Sequence, residues 1–392
     1  MLRILRIEYK NLPVYDGNFA IDLFAADRVM KDESLYRMHN TLYLQNLISF
    51  AGMNATGKTT ALRLINLAMR IVINNASLND IISIRYGMLG NDSEMIVTFC
   101  NDDTVYQLHS YFAETNTSVA SNISHYSFKE EILKSKSLKG IKRRKDLLNF
   151  DDAKVLAKRS ELDAQAKSVL KPDDSIVIMV TRDNDCIVQD VLTENYVNYS
   201  PMLGDTPSAV LNAFDENIEY LKTYTYDQDN HKNLQWVLKF KNNETVYRTD
   251  NPIELNRLIS AGTIKGQTII GLATAVLSKR GYLIVDELEN HFNKEIVHVI
   301  LDLFNNEKTN PRGACLIFTT HYSEILDFID RKDNIYLTRK KNGLLSVSKL
   351  SNEINRNDIK KSELIISNYL HGTAPKYQQI KKLKDYVCRI VK

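Results

Sequence analysis

The stretch "FAGMNATGKTTALRLIN", residues 50–66, decides the fold of this chain. Glycine is rare here, with 14 in 392 residues, yet Gly52 and Gly57 frame one short loop. Lys58 and Thr59 follow the second glycine directly, so the stretch matches the pattern G-x-x-x-x-G-K-[ST]. This pattern predicts a phosphate-binding loop when it lies between a strand and a helix.

The flanking residues supply that context. The apolar run "LQNLISFAG", residues 44–52, predicts a buried strand. The segment "TTALRLINLAMRIVINNA", residues 59–76, has the apolar spacing of a helix buried on much of its surface. A chance glycine-rich turn is the alternative, and these flanks disfavour it.

The chemistry of the loop follows from its residue types. Glycines let backbone N–H groups turn inward around phosphate oxygens, and the helix that begins there presents free N–H groups and a positive dipole end. Lys58 is predicted to reach the β- and γ-phosphates, and the Thr59 hydroxyl to join a Mg²⁺ shell. We therefore predict ATP and Mg²⁺ as ligands. The predicted nucleotide-binding residues of the loop are Gly52, Asn54, Ala55, Thr56, Gly57, Lys58, Thr59 and Thr60.

Carboxylates for the metal and for water occur far downstream. The apolar run of residues 282–285 ends in Asp286 and Glu287, the pattern of a buried strand that delivers acidic groups at its tip. We predict that Asp286 holds Mg²⁺ and that Glu287 polarises the attacking water. An ordinary helix start with acidic first-turn residues is the alternative.

Two further motifs complete the pattern. A second apolar run, residues 314–318, leads to Thr319-Thr320-His321, and His321 is predicted to contact the γ-phosphate rather than to cap or lie on the surface. Ser260 and Gly262 precede a helical stretch and form a second candidate anion site. A plain helix N-cap is the equal alternative for Ser260.

The order of these motifs resembles an ABC-type ATPase head of the SMC/RecF/OLD-like group. Within it the chain is most similar to stand-alone AAA-type ATP-binding proteins of bacterial phage-defence and abortive-infection systems. The resemblance includes "FKEEILKSKS", residues 128–137, and the segments 328–350 and 368–377. The signature departs from the transporter form, because it has Ser-Ala-Gly-Thr at residues 260–263. A Q-loop glutamine is not evident, and Gln107 is a weak candidate.

The resemblance implies an ATP hydrolase that works as a switch. ATP would lie between the P-loop of one subunit and the Ser260–Gly262 segment of another, in a homodimer or higher oligomer. An effector protein encoded nearby would act in trans, since the stretch after His321 is shorter than a nuclease domain of ~100 residues. A DNA-repair or recombination ATPase resembling RecF or SMC heads is the alternative.

The spacing of the motifs predicts a divided α/β head. Residues 1–100 are assigned to a first half with a β-rich arm, and residues 250–345 to the second half. Residues 101–249 are predicted to form a mainly helical insertion, with a helix in the segment 151–171. The segment 175–197 fits either a strand or a helix, and we favour a helix. Residues 346–392 form a C-terminal tail.

Composition and charge bear on the cellular location of the protein and on its binding partners. No run approaches the ~18 apolar residues of a membrane span, and four cysteines without CxxC spacing indicate free thiols, so we expect a cytoplasmic protein without membrane contact. The net charge of +3 is too small to imply nucleic acid by itself. The basic run from Lys134 to Lys145 makes DNA or RNA binding an open expectation, beside a solvated or protein-docking face.

Overall fold

The computed structural model describes residues 2–29, 35–39, 42–81, 88–118, 123–141, 143–192, 204–228, 231–354, 359–367, 369–370, 372 and 377–391. These residues form a mixed α/β protein, as the sequence predicts. Its strands lie in two six-stranded sheets, a three-stranded sheet and a two-stranded sheet. None of the described helices combines the length and the apolar character needed to cross a membrane.

The bounds of the strands and helices are as follows. In chain order the described strands are β1 Leu2–Lys10, β2 Phe19–Asp22, β3 Leu35–His39, β4 Leu42–Gln45, β5 Leu47–Ala51, β6 Glu94–Asn101, β7 Thr104–Ser118, β8 Ile123–Ser137, β9 Lys154–Lys158, β10 Ile187–Val191, β11 Ile218–Gln228, β12 His231–Phe240, β13 Val246–Thr249, β14 Gly281–Val285, β15 Cys315–Thr320, β16 Ile335–Lys341 and β17 Leu344–Lys349. The α-helices are α1 Lys58–Asn74, α2 Arg144–Leu148, α3 Ala164–Val169, α4 Ile178–Thr181, α5 Ser208–Phe214, α6 Pro252–Leu258, α7 Ala261–Lys279, α8 Lys294–Asn305, α9 Leu350–Glu353, α10 Lys361–Ile366 and α11 Tyr377–Ile390.

The core of the fold is a sheet with strand order β10-β14-β15-β5-β16-β17. All neighbours from β10 to β16 pair in parallel, and β17 adds an antiparallel edge. Every residue of β5, β14 and β15 is buried. Both faces of a parallel sheet need cover, which is why these strands are continuous apolar runs in the sequence.

Successive residues of these strands enter two different hydrophobic cores. Ile48 and Ile284 pack with α1, whereas Leu47 and Leu283 pack with α7 and α8. This alternation is the ordinary period of two along a strand. Because the carboxyl ends of parallel strands meet at one edge, the loops after β5, β14 and β15 lie together there.

A second sheet, with order β2-β1-β6-β7-β8-β9, is antiparallel and packs on the other side of α1. The buried hydroxyl of Tyr9 on β1 donates to the carbonyl of Leu64 in α1, at 2.8 Å. Strands β6 and β7 of this sheet form a hairpin around residues 101–103. The β-rich arm therefore covers the helix that follows the P-loop.

The prediction of a mainly helical insertion is wrong for the described part of residues 101–249. Strands β7 to β13 dominate this range, and its helices α2 to α5 have only four to seven residues. The segment 151–171 forms β9 and the short α3, and the described part of 175–197 forms α4 and β10. Short apolar segments fit either structure, and here pairing with β8 and β14 decides in favour of strands.

The proposed domain boundaries also do not follow the sheets. The boundary after residue 100 divides the β6–β7 hairpin, and the boundary after residue 345 divides β17. Strand β10 lies within the predicted insertion, yet it pairs in parallel with β14 of the core sheet. The strand order of a sheet depends on contacts distant in sequence, which composition does not reveal.

A smaller unit precedes α7. Strands β11, β12 and β13 form an antiparallel sheet that packs with α5 and α6 around Trp236 and Leu238. Ile264 in the first turns of α7 belongs to the same apolar cluster. The position of the Ser260 segment is therefore fixed by this small sheet as well as by the core.

Replacing Gly281 tests the place of β10 in the core sheet. A Cβ at residue 281 would lie 2.2 Å from the carbonyl oxygen of Ile187 on β10. We expect Gly281→Ala to lower the free energy of unfolding by about 1–3 kcal/mol, as overpacking does. Urea denaturation measures this.

Gly140→Ala is the matched control, because nothing lies within 4 Å of a Cβ built there. It should change the unfolding free energy by no more than about 0.5 kcal/mol. Equal stability of the two variants would contradict the pairing of β10 with β14.

Candidate active site

The loop of residues 52–57 joins β5 to α1 and depends on its two glycines. Gly57 has φ 94°, which favours glycine, and a Cβ there would lie 2.6 Å from the Leu345 side chain. At Gly52 a Cβ would lie 2.5 Å from the carbonyl oxygen of Thr338. The Thr56 hydroxyl donates to the Met53 carbonyl at 2.7 Å and contacts Thr338 Oγ1 at 2.8 Å. The Thr56 side chain therefore bonds both within the loop and to β16, and these contacts fix the conformation of the loop.

A cleft of about 630 Å³ lies over this loop. It brings together six of the loop residues predicted to bind nucleotide and both predicted catalytic residues. Its lining residues are Asn54, Ala55, Gly57, Lys58, Thr59, Thr60, Glu287, Glu289, Asn290, His321, Tyr322, Lys340 and Leu345. Gly52, Thr56 and Asp286 lie outside this lining, and so do Ser260 and Gly262.

Lys58 is buried beneath the loop at 6% exposure. Its Nζ donates to the carbonyl oxygens of Gly52 and Met53, each at 2.9 Å. Burial lowers the pKa of Lys58, and the carboxylates of Asp286 and Glu287 oppose that shift. The arrangement places a cationic donor at the floor of the cleft, where a phosphate group would meet it.

Asp286 receives a hydroxyl on each carboxylate oxygen. Thr59 Oγ1 donates to Oδ2 at 2.8 Å, and Thr319 Oγ1 donates to Oδ1 at 2.6 Å. The Thr319 hydroxyl also accepts the N–H of Glu287 at 2.7 Å. Sequence reasoning missed Thr319, although its position two residues before His321 at the end of β15 is a usable indication.

The side chains of Glu287 and His321 both line the cleft and lie next to each other there. His321 Nε2 lies 3.1 Å from Glu287 Oε1, and His321 Nδ1 lies 3.3 Å from Lys58 Nζ. The Asn290 amide donates to Glu287 Oε2. The backbone of Glu287 has φ 49°, a conformation that non-glycine residues adopt mainly at functional or strained sites. The chain bends here directly after β14, and the Glu287 carboxylate lines the cleft.

Glu289 is a third carboxylate of the site that the sequence did not indicate. It is 3% exposed and its Oε1 accepts the backbone N–H of His321 at 2.5 Å. Its Oε2 is buried and has no hydrogen-bond partner in the described part of the chain. Glu289 thus holds the turn that carries His321.

The start of α7 contacts the loop after β14. Ser260 Oγ accepts the N–H of Thr263 at 3.0 Å, so within this chain Ser260 is a helix N-cap. A Cβ at Gly262 would lie 2.6 Å from the carbonyl oxygen of His291. Lys265 Nζ donates to the carbonyl of Glu287 at 2.7 Å. Neither Ser260 nor Gly262 lines the cleft, so their roles stay predictions.

Residues of the basic run make local contacts. Lys136 donates to the carbonyl of Asp146, Lys139 pairs with Asp103, and Arg143 pairs with Asp146. Lys134 donates to the carbonyl of Phe150. Lys142 lies outside the described residues, as do the side chains of Arg144 and Lys145. Gln107 lies on β7, paired with Lys134 of β8, and does not line the cleft.

The residues fit a magnesium–nucleotide complex rather than a metal held by protein alone. Within the described ranges no group of three or more His, Cys, Asp or Glu side chains is placed to hold a metal ion. Mg²⁺ is usually bound by one or two carboxylates together with substrate phosphates. Thr59 and Asp286, bonded beside the phosphate loop, are the pair that would hold it.

Residues 47–327 match a protein family described as "AAA domain, putative AbiEii toxin, Type IV TA system". The matched range is well over half of the 392 residues and runs from the first residue of β5 to beyond His321. It therefore includes every residue predicted for the site. No curated protein matches the chain.

The partly buried Lys265 of α7 gives a testable pH dependence. Burial lowers the pKa of Lys265 to about 8, from an ordinary value of 10.5. Between these values the unfolded chain binds more protons than the folded one, so this group makes the unfolding free energy rise with pH. Lys265→Met should remove that rise, which amounts to roughly 2 kcal/mol between pH 8 and pH 10. Urea denaturation across this window measures it.

Lys279→Met, on the exposed end of the same helix, is the matched control. Its stability curve should stay parallel to that of the parent. If the Lys265→Met curve is also parallel to the parent, Lys265 has no depressed pKa and its burial has no electrostatic cost.

Proposed function

The chain belongs to this family of AAA domains, a family of P-loop ATPases, and from that premise we propose that it is an ATP-binding and ATP-hydrolysing switch of an anti-phage or abortive-infection system. The observation that carries the proposal is the cleft shared by the P-loop, Glu287 and His321, in which the lining residue Thr59 bonds to Asp286 behind it. A grouping with SMC, RecF and OLD heads is part of the proposal and rests on motif order.

Each residue has a role that its position supports. Lys58 and the N–H groups at the start of α1 would bind the β- and γ-phosphates. Thr59 and Asp286 would hold Mg²⁺, which supplies charge neutralisation of the phosphates. The Glu287 carboxylate would take a proton from the attacking water, and His321 would donate to a γ-phosphate oxygen while Glu289 fixes its backbone.

We propose further that a second subunit completes the site. The side chains of Glu287 and His321 are 33% and 29% exposed, so water reaches both from the open side of the cleft. Tyr322, next to His321, is 60% exposed. Ser260 and Gly262 lie outside the cleft, at the N-terminus of a long helix whose dipole favours an anion. In a dimer or higher oligomer this segment would contact the γ-phosphate of the partner subunit.

The output would pass to an effector protein in trans. DNA repair or recombination, in the manner of RecF or SMC heads, is the competing proposal and would require a nucleic-acid surface. The described cations of the basic run bond to neighbouring carboxylates and carbonyls of the same chain. Those contacts favour a structural role for the run, so we place the protein-partner switch first.

Removing the buried lysine tests the nucleotide site. Lys58→Ala should weaken binding of ATP with Mg²⁺ at least tenfold, because charge-assisted hydrogen bonds to phosphate are lost. Isothermal titration measures the affinity. Lys279→Ala, exposed at the end of α7, is the control and should bind as the parent does. Unchanged affinity and hydrolysis in Lys58→Ala would exclude the P-loop as the site.

Glu287→Gln and Ser260→Arg together test closure between subunits. The glutamine keeps the shape of Glu287 but does not polarise water, so ATP should bind without turnover and the protein should accumulate as a larger species. Light scattering with ATP and Mg²⁺ measures this mass. Adding Ser260→Arg should return the protein to its ATP-free size, since the arginine would obstruct the partner's phosphate.

Glu295→Gln, in the exposed first turn of α8, is the control and should hydrolyse ATP at the parent's rate. If Glu287→Gln has the same mass with and without ATP, or if the double variant stays assembled, each chain completes its own site and the shared-site proposal fails.

A further inference from the structure

In the core sheet, the side chains on one side of the P-loop differ in type from those on the other side. Strand β5, which leads into the loop, lies between β15 and β16. On the β15 side stand Asp286, Glu287 and His321, at the ends of β14 and β15. On the β16 side stands the hairpin of β16 and β17. The cleft extends over both sides, because Lys340 and Leu345 of this hairpin line it together with the carboxylates.

The position of the terminal phosphate fixes the direction of the ligand, and this step rests on the proposed function. The carboxylates, His321 and the Thr59–Asp286 pair mark where the metal and the terminal phosphate would bind. The rest of the nucleotide must then extend away from β15, past the start of α1. On that side the cleft is lined by the β16–β17 hairpin.

The register of the hairpin selects which of its residues face the cleft. Lys340 lies directly opposite Leu345, and the next pair is Lys341 with Leu344. Directly opposite residues share one face of a hairpin and adjacent pairs take opposite faces. Lys340 and Leu345 line the cleft, whereas Lys341 and Leu344 do not. The hairpin therefore presents one lysine to the cleft and one away from it.

Leu345 fixes this face of the hairpin against the loop. Its N–H donates to the Val14 carbonyl at 2.9 Å, and its carbonyl accepts the N–H of Asp16 at 2.8 Å. The Leu345 side chain occupies the space beside Gly57 that a Cβ would need. The backbone of Lys340 is thus held beside the phosphate loop by β-pairing, while its side chain remains exposed.

Lys340 has no partner for its charge among the described residues: no ion pair or side-chain hydrogen bond joins it to any of them. Its neighbour Arg339, by contrast, pairs with Glu353 at 2.6 Å. A lysine that lines an anion-binding cleft without an acidic partner is free to bind an anion.

We propose that Lys340 is a second phosphate-binding cation of the cleft, which contacts the α-phosphate of the nucleotide on the side of the P-loop remote from the metal. Leu345 forms the apolar wall against which the adjoining sugar packs. Lys58 and Lys340 then hold the two ends of the triphosphate, and the ligand class is nucleoside di- and triphosphates.

Affinity for ADP and for ATP, each with Mg²⁺, tests this assignment by isothermal titration. Lys340→Gln should weaken both ligands by about tenfold, because both carry the α-phosphate and one charge-assisted hydrogen bond is lost. Lys341→Gln is the matched control, with the same charge change on the opposite face of the hairpin. It should bind both nucleotides within about twofold of the parent, and Lys340→Arg should restore most of the affinity. Thermal unfolding of each variant checks the fold.

The outcomes separate this inference from the proposed function. If the parent binds ATP, Lys58→Ala does not, and Lys340→Gln binds as tightly as the parent, the lysine has no phosphate contact and only this inference fails. Equal losses of nucleotide affinity in Lys340→Gln and Lys341→Gln would also overturn it. They would indicate that the overall positive charge of the hairpin attracts the nucleotide, without a specific contact from Lys340. A parent chain that binds neither nucleotide would overturn the proposed function, and this inference with it.

Discussion

The carboxylate of Asp286 joins three neighbouring strand ends of the core sheet. It follows β14, it accepts Thr319 at the end of β15, and it accepts Thr59 in the first turn of the helix that follows β5. These residues are far apart in the chain, so the bonds form only once β14, β15 and β5 are paired in register. Because Asp286 is 5% exposed, loss of either hydroxyl would leave a buried carboxylate oxygen without a donor. The geometry of the candidate site depends on this arrangement.

Burying charged side chains at the candidate site costs free energy. Lys58, Asp286 and Glu289 are each less than a tenth exposed, and Glu287 has a backbone conformation that is unfavourable for a non-glycine residue. Burying ions is expensive unless each one is paired and hydrogen-bonded. The chain supplies carbonyls for Lys58, two hydroxyls for Asp286 and a backbone N–H for Oε1 of Glu289, whereas Oε2 of Glu289 has no partner among the described residues. These partners are held in place by the surrounding apolar strands. Those strands are buried because both faces of the sheet are covered.

The two sides of the P-loop differ in how their side chains are bonded. Toward β15 the functional groups are bonded to one another, through His321 to Glu287 and through Thr319 to Asp286. Lys265 extends that network to α7, whose first residue follows the N-cap Ser260. A change at Glu287 can therefore reach the Ser260 segment through one side-chain contact. Toward β16 the hairpin supplies the exposed Lys340, whose side chain has no hydrogen bond or ion pair to any described residue.

A structural feature could be predicted from the sequence when the residues that define it are close together in the chain. The strand before Gly52, the helix after Gly57, and the strands before Asp286 and His321 are confirmed, because glycine spacing and continuous apolar runs are properties of short segments. The helices predicted between residues 151 and 197 are wrong, since those segments are short and their structure depends on which strands pair with them. Thr319, Glu289 and Lys265 were not found, because each bonds to residues 22 to 33 positions away that only the folded chain brings close. Lys340 was not found, because only the pairing of β16 with β17 places it at the cleft. The sequence by itself determined the phosphate loop, the acidic pair and the presence of the strands that carry them. Only the tertiary structure decided which side chains share the cleft, because hydrogen bonding and burial depend on distance in space.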